Sequence, residues 1–162
     1  MYNHAPENYQ CPFCLIASGG NTQNHTIQDD VVYQDDKVIA WVSSRSWPDT
    51  HGNVIIVPKE HHENLYDLPD QLVSHIHVLA KRIAIAMKLG YQCDGTSTRQ
   101  HNEPAGYQDV FHFHLHVFPR SNDDNLYLRT NDFEDTTAEE RKPFVDKLKD
   151  SLKIVLKTQP MP

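Results

Sequence analysis

Long apolar runs are missing from this 162-residue chain. None approaches the roughly 20 residues that cross a bilayer as a helix, so no membrane span is expected. The leading Met1-Tyr2-Asn3-His4 carries neither the basic nor the apolar region of a secretory signal, which points to the cytoplasm. A surplus of positive charge is missing too: 15 Lys and Arg stand against 22 Asp and Glu, a formal charge of -7. Nucleic-acid backbones are held by such a surplus, so no nucleic-acid partner is expected, although a small phosphate ligand needs only local donors. Cysteine is scarce, and three thiols cannot all pair with one another. Repeats and linker-like stretches are absent, and the length suits one domain with a real core.

Against that plain background stands the run Val110-Phe111-His112-Phe113-His114-Leu115-His116-Val117-Phe118. Read as a strand, it turns Phe111, Phe113, Leu115 and Val117 to one face and three imidazoles to the other. The histidine face is the candidate working site. Alternate strand residues lie about 6.6 Å apart, so His112 and His116 are separated by roughly 13 Å. Zinc holds imidazole nitrogens at only about 2.0–2.1 Å, so one ion cannot take all three rings. At least one histidine of the row is left for another task.

The remaining elements follow from periodicity. Residues 31–33 and 37–42 read as a hairpin about Gln34-Asp35-Asp36, after a Gly/Asn/Thr-rich loop over 18–30. Asn53-Val54-Ile55-Ile56-Val57, ended by Pro58, reads as a buried strand, and 96–101 as a fourth. Pro69 and Gly90 bracket a helix with the stripe Leu72, Ile76, Leu79, Ile83 and Met87, leaving His75 and His77 solvated. Residues 121–135 read as a long polar loop. Thr137 and Glu140 form a capping-box pattern before a second stripe of Phe144, Leu148, Leu152 and Leu156, with Pro143 placing the continuous helix nearer Lys142. The expectation is an α+β domain with a largely antiparallel five-stranded sheet and two main helices. It divides into a loose tail over 1–10, a body over 11–136, and a helix and tail over 137–162 packed on that body.

Cys11-Pro12-Phe13-Cys14 offers two thiols at the spacing of a zinc half-site. No second cysteine pair exists, so histidines must complete it, with His112, His61 and His62 as candidates. A redox pair is the rival, but that motif opens a helix after a strand, and none precedes Cys11. Cys93 reads as a small buried apolar residue.

The run His112-x-His114-x-His116 among apolar residues resembles the signature of the histidine-triad (HIT) superfamily. Cys11-Pro12-Phe13-Cys14-Leu15-Ile16 is similar to the opening of its zinc-bearing members. Val54 to His61 resembles their central strand, Asn102, Ala105-Gly106 and Gln108 the approach to the triad, and Pro119-Arg120 its exit. The resemblance implies a structural zinc on Cys11, Cys14, His61 and His112, and a homodimer. It makes His114 the nucleophile that attacks the α-phosphorus of a nucleotide, with His116 beside it on the phosphate. Gln108, Asn102, His101 and Asn53 then hold the phosphate and leaving group, and Phe13, Ile16, Trp41 and Ser43 the nucleoside. The implied activity is hydrolysis or transfer at the α-phosphate of a nucleoside phosphoramidate or dinucleoside polyphosphate. The alternative is a zinc-stabilised nucleotide- or partner-binding module with little turnover. Three departures motivate it: Asn53 replaces a frequent histidine, Ser43 a ribose-binding aspartate, and Asp109 a frequent serine.

Overall fold

The computed structural model describes residues 2–22 and 27–162; Met1 of the tail and residues 23–26 of the 18–30 loop lie outside them. Among the described residues the strands are β1 (Val31–Gln34), β2 (Val38–Val42), β3 (Arg45–Ser46), β4 (Val54–Pro58), β5 (Gly95–Gln100), β6 (Leu115–Arg120) and β7 (Glu134–Asp135). The helices are α1 (Pro12–Ala17), α2 (Asp70–Gly90) and α3 (Ala138–Thr158). Five strands form one antiparallel sheet in the order β1-β2-β4-β6-β5, and β3 pairs separately with β7. The expected α+β class, five-stranded sheet and two long helices are all present.

β2 and β4 are apolar throughout because both faces of the sheet are covered. Val38, Ala40, Val42, Val54 and Ile56 pack with Ile76, Leu79, Ile83 and Met87 of α2 and with Val145, Leu148 and Leu152 of α3. The alternate side chains, Ile39, Trp41, Ile55 and Val57, meet Phe13 and Ile16 of α1 on the opposite face. The two-residue period of the strands thus divides one sheet into a helix face and a cleft face. Gly52, at φ +78°, turns the chain into β4 where a Cβ would stand 2.7 Å from the Phe144 ring.

Several local expectations are corrected. The histidine run is not one strand: the ladder begins at Leu115, and 110–114 spends its backbone elsewhere. His112 N donates to Val110 O at 2.8 Å, Phe113 N to His62 O at 2.6 Å, and Phe111 N to the Tyr9 hydroxyl at 3.2 Å. His75 is not solvated, since Nε2 lies 2.7 Å from Asp35 Oδ2 and anchors α2 to the β1–β2 turn. Cys93 is only half-buried, at the margin of the helix-side core. α3 starts at Ala138 rather than near Lys142, on the reciprocal Thr137–Glu140 capping box. Pro143 is exposed, so water can serve the carbonyl its missing N–H leaves open. The polar stretch 121–135 contains β7, and Asp124 gathers it by accepting from Arg120, Ser121 N and Leu126 N. Residues 2–10, expected to be loose, hydrogen-bond to the body, for example Asn64 Nδ2 to Tyr2 O at 3.2 Å and Ala5 N to Glu63 at 3.3 Å.

Candidate active site and metal centre

Cys11 caps α1, and its sulfur accepts from Cys14 N at 3.4 Å, which turns both thiols to one side. His61 follows β4, and His112 lies in the irregular segment before β6. The four side chains converge, with ligand atoms all within 4.8 Å of one another. Cys11 Sγ to His112 Nδ1 is 3.3 Å, Cys14 Sγ to His61 Nδ1 is 3.3 Å, and Cys14 Sγ to His112 Nδ1 is 3.5 Å. Tetrahedral zinc with these ligand types has edges of roughly 3.3–3.8 Å, so the donor set fits the ion. His112 Nε2 donates to Pro58 O at 2.9 Å, which holds its ring and leaves Nδ1 to the metal. His62, the third histidine candidate, stands outside this group. Zinc here is structural, because four protein ligands leave no open position.

His114 is almost fully buried, and its Nδ1 donates to His112 O at 2.8 Å. That bond fixes the tautomer and leaves the Nε2 lone pair free. The ring meets Phe13 edge-on at 5.3 Å and His116 at 5.2 Å. Burial lowers the pKa of His114 against the opposing hydrogen bond, and burial followed by His114 itself lowers that of His116 further, so both rings are neutral near pH 7. His116 stacks on Phe118, and its Nδ1 is buried without a protein partner.

Both rings line a cleft of about 620 Å³. Phe13, Ile16, Trp41 and Ser43 line it, and so does His101, whose Nδ1 bonds to Gly106 O. Of the other three expected phosphate donors, Gln108 and Asn102 are committed to loop contacts. Gln108 Nε2 donates to Glu63 O at 2.6 Å and Val110 O at 3.1 Å, while its Oε1 accepts from Glu103 N, so it braces a loop. Asn102 Oδ1 accepts from Leu65 N at 2.8 Å. Asn53 is fully buried, with both side-chain polar atoms unpartnered. Asp109, a potential repeller of anions, is answered by Arg45 at 2.7 Å; this bond and charge outweigh burial and hold its carboxyl below the usual range. The far wall, made by Arg45, Trp47, Arg99, Tyr127 and Phe133, was missed in the sequence. Arg99 is opposite His116 in the β5–β6 register, a pairing no local pattern reveals.

A sheet with helices on one face, a histidine-lined cleft on the other and a Cys₂His₂ clasp beside it defines a histidine-triad protein of the zinc-bearing kind. The comparisons agree: the HIT domain family model matches residues 24–123, and the chain belongs to that family, one of nucleotide hydrolases and transferases. It is 32% identical over 117 residues to the protein hit of Bacillus subtilis, covering 72% of this chain and 74% of that one. An adenosine 5'-monophosphoramidase of Saccharomyces cerevisiae is 37% identical over 73 residues, 45% of this chain and 44% of that enzyme. Among solved structures, a zinc-bound histidine triad family protein from Mycobacterium smegmatis matches with a TM-score of 0.74 and 27% identity, covering 93% of this chain and 98% of that one.

Proposed function

We propose that the protein cleaves at the α-phosphate of a nucleoside phosphoramidate or dinucleoside polyphosphate through a covalent nucleotidyl-His114. The observation that carries this reading is the His114 Nδ1–His112 O bond, which presents an unprotonated Nε2 on a ring lining the cleft. Nε2 attacks the α-phosphorus, the bond to the leaving group breaks with its electron pair, and water or another acceptor then displaces the imidazole. In this reading His116, next in the row, and His101, which lines the same cleft, meet the phosphoryl oxygens as charge shifts onto them. Phe13, Ile16 and Trp41 receive the base. The zinc supplies order to the segment that carries Phe13 and takes no step of the reaction.

The phosphoramidase activity of the yeast relative supports a phosphoramidate as a first substrate to try. Incubation with adenosine 5'-phosphoramidate should release AMP, and mass spectrometry of quenched protein should find an adenylyl adduct on the peptide holding His114. His114→Ala should lower turnover by at least about 10³-fold and abolish the adduct. Release that persists unchanged in that variant overturns the mechanism. A homodimer belongs to the same proposal: β5 is an edge of the five-stranded sheet, and sedimentation should give twice the chain mass. The binding-module reading draws on Gln108 and Asn102, whose side chains are committed to loop contacts rather than left for a ligand. Nucleotide binding without AMP release would select it.

A further inference from the structure

Along the cleft the order is Phe13, His114, His116, Arg99. Phe13 meets His114, His114 meets His116, and Arg99 is the cross-strand partner of His116. The Arg99 guanidinium lies over the Trp47 ring at 5.1 Å and the Phe118 ring at 4.9 Å. Two aromatic faces fix its plane, as they fix few long side chains. Its Nε is buried with no hydrogen-bond partner, and no carboxylate among the described residues pairs with it. The neighbouring acid, Asp109, is already taken by Arg45. Arg45 is thereby neutralised, and Arg99 is left as the uncompensated cation of the cleft wall. Partial burial lowers its pKa, yet a guanidinium stays charged at neutral pH, so the wall carries a half-buried positive charge that an anion would relieve.

We infer that Arg99 is the specificity-determining residue of the cleft. It receives the anionic part of a substrate beyond the α-phosphate and favours nucleotides with a phosphate or polyphosphate leaving group over phosphoramidates with an amine. This inference rests on the nucleotidyl-transfer reading and adds a choice of leaving group to it. When the bond from the α-phosphorus to a bridging oxygen breaks, its electron pair stays on that oxygen, which leaves as an ionised phosphate. A fixed cation stabilises that charge as it forms. A departing amine takes up a proton instead, and a guanidinium supplies none. The aromatic neighbours Trp47, Tyr127 and Phe133 suit a second base at the far end of such a leaving group.

The test compares diadenosine tetraphosphate with adenosine 5'-phosphoramidate, which share the adenylyl group and differ in what leaves. Arg99→Met keeps an unbranched stem on the rings and removes the charge. Its loss in kcat/KM should be about 10- to 100-fold greater on the tetraphosphate than on the phosphoramidate, the range for a hydrogen bond to a charged group. Arg99→Lys should recover part of that difference. Equal losses on both substrates, or none on either, overturn the assignment. Should the wild type turn over neither, the nucleotidyl-transfer reading falls, and calorimetric binding decides this one separately. Tetraphosphate binding weakened in Arg99→Met more than AMP binding supports the cationic site, and equal changes refute it. Melting curves establish that each variant folds, and Arg99→Gln replaces Arg99→Met if the methionine does not.

Discussion

At the scale of single residues, the same side-chain type does opposite work according to what surrounds it. His112, His114 and His116 are spaced identically in sequence, yet one faces a thiol pair, one is held by a backbone carbonyl, and one stacks on an aromatic ring. Gln108 has the donors of a phosphate ligand and spends them on Glu63 and Val110 carbonyls. Asp124 shows how a lone carboxylate can hold a polar stretch. Hydrogen bonds from Arg120, against the cost of burial, lower its pKa to about 2. A depressed carboxylate stabilises the fold above its unfolded value, near 3.8, and the benefit is lost as pH falls through about 2. A shift of that size is on the order of 2 kcal/mol. Asp124→Asn should therefore be less stable than wild type by that order in urea at pH 7, and the gap should close near pH 2.

At the scale of elements, the two long helices have different sources of position. α2 is seated on the sheet by its apolar stripe and pinned at one point by His75 against Asp35. α3 is also tied by a buried ion pair, with Arg141 Nε and Nη2 reaching the two oxygens of Asp30 at 3.0 and 2.7 Å. The pair joins the first turn of α3 to the residue before β1. Removing one partner leaves a charge buried and unanswered, which costs about 3–5 kcal/mol. Arg141→Ala and Asp30→Ala should each show such a loss in denaturant unfolding, and the double variant should lose less than their sum. A sum that is simply additive would mean that the two groups do not act together.

At the scale of the whole molecule, the Cys₂His₂ site clasps three separated stretches: α1, the segment after β4 and the segment before β6. α1 also brings Phe13 and Ile16 over the sheet, so the clasp and the cleft depend on one six-residue helix. Metal analysis should give one zinc per chain. Chelation should lower the melting temperature by at least about 10 °C, since several kcal/mol of binding free energy is folding free energy in such a site. His112→Ala should lose the ion and His114→Ala should keep it. Loss of metal in His114→Ala would contradict the division of labour between the two rings.

The sequence alone determined the elements whose cause is local. An alternating or continuous apolar run, a stripe at helical spacing and a Thr–Glu capping box each hold their instructions within a few residues. The Cys-x-x-Cys pair and the histidine triplet were legible for the same reason, whereas Phe13, Ile16 and Trp41 were singled out only by the family resemblance. Tertiary structure decided what depends on partners far along the chain. His75 is buried because Asp35 lies 2.7 Å away, although nothing on its own helix marks it. The start of β6 was set by competing backbone partners from Tyr9 and His62. The side chains Asn102, Gln108 and Arg99 all carry hydrogen-bond donors, and only the packed chain brings Arg99 to the cleft and commits the other two to loop partners. Donor chemistry is written in each residue; its direction is a property of the neighbours that satisfy it or leave it free.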